Sequence, residues 1–222
     1  RAPDMAWSLQ GLRLSYWVFV ATLVGVLIAV MQRRERLAAF RIQTILMIGL
    51  LGWIALSEQQ AMNHFLAHKE LVLFSKVVLV AVLTTGLVQT RYRFRWLMIV
   101  IALSLGLLGL KYGLWGIMRG GARIVEGPGG FMKDNNGFAL GLNMGIPLLV
   151  GVALTEKQRW IKVSCGILVM FTMLSVFFTF SRGGLVTLIV VGAGLVFRSG
   201  KPILAVLLLA LGVGGFVTLS SS

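Results

Sequence analysis

Apolar residues in this chain gather into eight long runs separated by short polar, mostly basic, interruptions. The runs are Leu14–Met31, Ala38–Leu56, Leu71–Val88, Trp96–Leu110, Gly137–Leu154, Ile161–Phe180, Gly183–Phe197 and Pro202–Leu219. A membrane-spanning helix takes about 20 apolar residues, and each run approaches that length. None alternates apolar and polar positions with the two-residue period of a membrane β-barrel strand. In lipid the backbone must satisfy its own hydrogen bonds, so the runs predict α-helices. The expected fold is all-α: a polytopic integral membrane helical bundle of about eight transmembrane helices, with residues 1–222 forming a single transmembrane domain. Gly106, Gly109, Gly141, Gly145, Gly192 and Gly194 lie within the runs and are expected to allow close helix contact.

Composition sharpens this picture. Of the 222 residues 58% are hydrophobic and only 13% charged, with a mean hydropathy of +0.91. A soluble domain is about half apolar and about a quarter charged, so a soluble enzyme, a disordered tail and a fibrous repeat are all excluded. The net charge of +14 would suggest nucleic acid in a soluble protein. Here the basic residues end apolar runs, where they set topology, and the expected partner is the lipid bilayer, with no nucleic acid. The single cysteine, Cys165, permits no intrachain disulfide and reads as a small buried residue. The chain opens at Arg1 and closes in Ser220, Ser221 and Ser222 straight after an apolar run, so it reads as a fragment of a longer membrane protein.

Orientation follows from the basic residues in alternate loops. One set of loops holds Arg33, Arg34, Arg36 and Arg41, then Arg91, Arg93 and Arg95, then Lys157, Arg159 and Lys162, then Arg198 and Lys201, opposed only by Glu35 and Glu156. The other set carries Arg1, Arg13, Lys69, Lys111, Arg119, Arg123, Lys133 and Arg182, with five acidic residues among them. The positive-inside rule makes the first set cytoplasmic, so the second set and both chain ends are expected outside. Lys76 is the one ionisable residue expected in the middle of a span, and it can snorkel to the exterior surface. No Asp or Glu stands at mid-membrane, which counts against a proton- or sodium-coupled transporter.

Candidate chemistry lies on the expected exterior side. Residues 111–136, KYGLWGIMRGGARIVEGPGGFMKDNN, read as an exterior glycine-rich basic loop. Lys111, Arg119, Arg123 and Lys133 can bind phosphate oxygens there, or the loop can be a solvated connector whose charges meet headgroups. Asp134-Asn135-Asn136 then opens a helix. An Asx residue there is a good cap, but three polar residues exceed what one cap requires. Asn136, Asn143 and Pro147 can present amides along a partly opened helix, where an amide that both donates and accepts suits sugar hydroxyls. Arg182 sits between two runs with no loop to separate them, either snorkelling to the surface or aimed inward to neutralise a pyrophosphate. Ser181 has no His neighbour in sequence, so serine hydrolysis is not expected. His64 and His68 stand four apart, but zinc needs a third ligand, and a surface turn is the expectation there. No metal site and no cofactor is expected, and no G-x-x-x-x-G-K-[ST] nucleotide loop occurs.

The glycine-rich loop, the D-N-N that opens a run, the N-M-x-I-P inside it and the S-R-G-G one hairpin later together resemble the O-antigen ligase and polymerase superfamily of bacterial envelopes. The chain looks most like the O-glycosylation ligases associated with the exosortase A system. The specific part is about 75 residues, from Lys111 through Gly184. The resemblance implies an integral membrane glycosyltransferase of the bacterial inner membrane, active on the exterior, periplasmic side. Its donor is a polyprenyl-diphosphate-linked glycan, and its acceptor is a hydroxyl on protein, lipid or polysaccharide. The same likeness leaves open a polymerase of the superfamily, and a non-enzymatic glycolipid transporter is the third reading.

Under this resemblance Arg182 is the leading catalytic pyrophosphate contact. Lys133, Arg123 and Arg119 are auxiliary phosphate contacts, and Asn135, Asn136 and Asn143 orient donor or helix. Members of the superfamily carry a further exterior loop with an arginine and a histidine. The sequence is expected to stop before such a loop, and neither His64 nor His68 matches that histidine. The general base is therefore expected elsewhere, Asp134 being the fallback, and the fragment is expected to be inactive alone.

Overall fold

The structure, a computed structural model, describes residues 42–200, together with Trp17, residues 20–25 and Ile28. The runs Leu14–Met31 (in large part) and Pro202–Leu219 lie outside the described residues. Six α-helices are continuous across 42–200: α1 (Ile42–Glu58), α2 (His64–Leu87), α3 (Arg91–Met118), α4 (Asn135–Thr155), α5 (Arg159–Phe178) and α6 (Arg182–Arg198). Each takes up one predicted run. Among the described residues there is no β-strand, only an isolated bridge between Glu126 and Asp134.

Helices α2, α3, α4 and α5 are long and apolar enough to cross a membrane. At about 1.5 Å per residue, even the shortest of them reaches the ~30 Å of a hydrocarbon core. With 17 residues each, α1 and α6 fall below that length. The protein is therefore a helical membrane protein in which four described helices, against the eight spans expected from the sequence, meet the length of a span.

The chain divides into two units, one ending at Phe94 and the other beginning at Arg95. In the first, α1 and α2 form a hairpin through the turn at Gln59–Asn63, and the Asn63 side chain caps α2 by accepting from the Leu66 N–H at 3.1 Å. His64 and His68 therefore lie in the first turns of a helix instead of in a loop. His68 Nδ1 lies 2.9 Å from Glu58 Oε1, a carboxylate partner that the sequence reading did not assign. Helix α2 starts seven residues before its apolar run, which puts Lys76 in the middle of the helix, on its exposed side.

In the second unit, α3 packs on α5 through small residues. A Cβ at Gly109 would stand 2.8 Å from the Thr172 Cα, and one at Gly113 would stand 2.6 Å from the Phe171 carbonyl oxygen. The Ser175 hydroxyl donates to the Gly109 carbonyl at 2.6 Å, so the close approach also pairs polar groups inside the bundle. Gly106, Gly141 and Gly145 likewise meet Leu149, Met132 and Leu105. Gly192 and Gly194 do not: nothing described lies within 4 Å of a Cβ at either. The core beneath is Tyr112, Phe138, Leu142, Ile146, Val176 and Leu188, with the Tyr112 and Phe138 rings 4.7 Å apart. At one end of this unit Arg95 pairs with Glu156.

Candidate functional site

The other end of the second unit holds most of the residues singled out from the sequence. Helix α3 does not stop at Leu110; it continues through Met118, with Tyr112, Gly113 and Gly116 buried. The connector expected at 111–136 is consequently shorter, and Lys111 is helical, its Nζ 5.6 Å from the Tyr112 ring centroid. The charge at Lys111 ends the apolar run without ending the helix, because the apolar face goes on packing. Arg119 follows directly, its guanidinium 5.5 Å from the Trp115 ring centroid.

The connector has a fixed path. Gly120 and Gly121 turn it with φ of 64° and 87°, values open to glycine without strain. Ile124 is then buried and donates its backbone N–H to the Phe178 carbonyl at 2.7 Å, tying the loop to the end of α5. Gly127 N–H donates to the Lys133 carbonyl at 2.9 Å, closing the loop on itself beside the Glu126–Asp134 bridge. A 3-10 turn at Gly130–Met132 places Met132 against Gly141 of α4. The sequence signal for this anchor is the aliphatic pair Ile124-Val125 between basic and glycine-rich stretches, of which only Ile124 is buried.

Asp134 caps α4, its Oδ2 accepting from the N–H groups of Asn136 at 3.1 Å and Gly137 at 3.2 Å. Asn135 and Asn136 reach the turn between α5 and α6, and Asn143 reaches the first turn of α6. Asn135 Nδ2 donates to the Thr179 carbonyl at 3.2 Å, and the Ser181 hydroxyl donates to Asn136 Oδ1 at 2.7 Å. Asn143, 1% exposed, donates from Nδ2 to the Gly184 carbonyl at 2.8 Å. The amide nitrogens of Asn135 and Asn143 are thus bonded to backbone carbonyls of this turn and of the start of α6. Helix α4 is also continuous around Pro147, not partly opened. Pro147 only removes the N–H that would bond the Asn143 carbonyl, and Asn143 Oδ1 is buried without a hydrogen-bond partner.

The turn itself is short. Phe180 takes a left-handed φ of 52°, which lets α5 reverse into α6 within Thr179–Ser181. Thr179 Oγ1 donates to the Val176 carbonyl and accepts from the Ser181 N–H. Ser181 is the cap of α6, accepting from the Gly184 N–H at 3.0 Å. Its buried hydroxyl thus has a structural use, which a serine ahead of a new helix could have signalled. A Cβ at Gly184 would stand 2.5 Å from that of Ala139, so this glycine is needed for packing, whereas Gly183 faces open space.

These links bring together what the sequence keeps far apart. Arg123 adjoins the Ile124 anchor on Phe178, Lys133 adjoins the Asp134 cap, and Arg182 opens α6. All three are exposed, and none has an ion-pair partner among the described residues. The N-termini of α4 and α6, the positive ends of their helix dipoles, are joined here by the Asn136–Ser181 bond. Such an end can hold an anion with N–H donors and cationic side chains together. Among the described residues no three His, Cys, Asp or Glu side chains gather as metal ligands.

Residues 3–139 match a family of unknown function, DUF5935. The match takes in the loop and the Asp134 cap and stops short of the turn at Thr179–Ser181. No curated protein and no solved structure matches the chain.

Proposed function

The chain belongs to the DUF5935 family, whose function is unknown, and from that premise we propose that it is part of a membrane glycan ligase. It transfers a glycan from a polyprenyl-diphosphate carrier to an acceptor hydroxyl on the exterior side of the bacterial inner membrane, within a bundle of about eight spans. The observation that carries this reading is the gathering of Arg123, Lys133 and Arg182 around one helix-to-helix turn beside two helix N-termini. The likeness of the loop and the S-R-G-G motif to O-antigen ligases supplies the reaction.

In that reaction the acceptor oxygen attacks the anomeric carbon. The bond from that carbon to the diphosphate oxygen breaks, and the acceptor proton passes to a base. Negative charge grows on the departing polyprenyl diphosphate, and fixed cations stabilise it most where they need not reorganise. Arg182 is the principal contact; Lys133, Arg123 and Arg119 share the charge. Asp134 has its Oδ2 committed to two helix N–H groups, so the base is assigned to the further loop that the resemblance implies.

The test is release of polyprenyl diphosphate from a lipid-linked oligosaccharide by membranes carrying the longer protein. Release coupled to glycan on an acceptor supports a ligase, or a polymerase where that acceptor is the growing glycan. Movement of intact donor across the bilayer without release would replace this reading with a transporter.

A further inference from the structure

Resting on that reading, we propose that Asn136 reads the diphosphate and not the sugar, because Ser181 engages its amide oxygen and leaves its N–H groups for a ligand. The Ser181 hydroxyl accepts from the Gly184 N–H at 3.0 Å, which turns its own proton toward Asn136 Oδ1 at 2.7 Å. One lone pair of the Asn136 amide oxygen is therefore engaged. Its Nδ2 has no partner among the described residues, and the residue is exposed, in the first turn of α4 beside the first residue of α6. An amide carries one acceptor oxygen and two N–H donors. With the oxygen engaged by Ser181, what Asn136 chiefly offers a ligand is N–H.

A sugar hydroxyl both donates and accepts, and an amide with both groups free would suit it. A diphosphate oxygen at neutral pH only accepts. An amide that presents chiefly N–H matches the second, and it stands at the same turn as Arg182. Asn135 and Asn143 differ: their Nδ2 groups donate to the Thr179 and Gly184 carbonyls, so one N–H of each already serves the fold. Asn136 is thus a specificity-determining residue and Ser181 the residue that positions it.

An isosteric change separates this role from a structural one. Asn136→Asp keeps an oxygen for the Ser181 hydroxyl and places a carboxylate in a helix first turn, where it is tolerated. It also turns the outward donor into an anion. Asn136→Ala removes the donor without adding charge. The measurement is binding of a polyprenyl diphosphate, and of the neutral polyprenol, to the protein in nanodiscs, with thermal melting of each variant alongside.

The expected order of diphosphate affinity is wild type, then Asn136→Ala, then Asn136→Asp, the last weaker than wild type by about ten-fold or more. Polyprenol binding and the Asn136→Asp melting temperature should not change. Wild-type affinity in Asn136→Asp, with affinity lost in Arg182→Ala, would overturn the role of Asn136 and leave the ligase reading standing. Equal losses in both Asn136 variants with lowered melting would also overturn it, as a structural effect. Absence of diphosphate binding by the wild type would overturn the ligase reading and this inference with it.

Discussion

At one end of α3, α4 and α5, Arg95 pairs with Glu156; at the other, Arg123, Lys133 and Arg182 surround a turn and none has an ion-pair partner among the described residues. Both ends are basic, and both join helices by short links. The first link, Glu156–Gln158, carries the pair, and among the described residues no side-chain hydrogen bond beyond it fixes that link. The second is knitted by Asn135, Asn136, Thr179 and Ser181, each with a hydrogen bond in the turn, and by Asn143, which bonds the start of α6. A basic end that serves topology needs only its charge near headgroups. An end that must hold cations at fixed positions needs a rigid frame, and here that frame is built from neutral amides and hydroxyls. The position of each polar group, more than the count of charges, distinguishes the two ends.

The largest expected effect is at the framed end. Arg182→Ala in the longer protein should lower glycan transfer by about a hundred-fold or more, with the protein still in the membrane at its normal level; quantified transfer and immunoblotting check both. Next is the packing that carries the frame. Gly109→Val would drive side-chain atoms into Thr172, costing about 1–3 kcal/mol, while Gly192→Val, with nothing described within 4 Å of its Cβ, should melt like the parent. Melting of the detergent-solubilised variants separates the two.

Smaller again is Asn143→Leu, which deprives the Gly184 carbonyl of its donor and should destabilise by about 1 kcal/mol, the scale of a polar contact between membrane helices. Diphosphate affinity should fall with it as the start of α6 loosens. The smallest effect belongs to the other end. Arg95, with 58% of its side chain exposed, forms a pair of the kind that contributes about 1 kcal/mol or less, so Arg95→Gln should leave both melting and transfer near the parent values.

Much of this arrangement is legible in the residues. Six of the apolar runs mark helices, because a span must satisfy its own backbone, and Asp134 announces a helix start through its chemistry as a cap. The hairpin around Arg182 follows from two runs with no loop between them. What the pattern hides is long-range pairing. Nothing local in Asn143 indicates that its amide meets Gly184, 41 residues on, or that Ile124 ties its loop to Phe178. A charge such as Lys111 also interrupts hydropathy without interrupting a helix whose other face stays packed, so α3 outruns its apolar run to Met118.

The most direct test of the contrast between the two ends is photocrosslinking of a polyprenyl diphosphate whose reactive group sits beside the phosphates. The protein is held in nanodiscs, and the labelled peptides are read by mass spectrometry. The account predicts labels in residues 119–136 and 179–184 that disappear when inorganic pyrophosphate or unlabelled carrier is added in excess. Labels centred on Arg95 and Glu156, or spread evenly over both ends and indifferent to competitor, would contradict it.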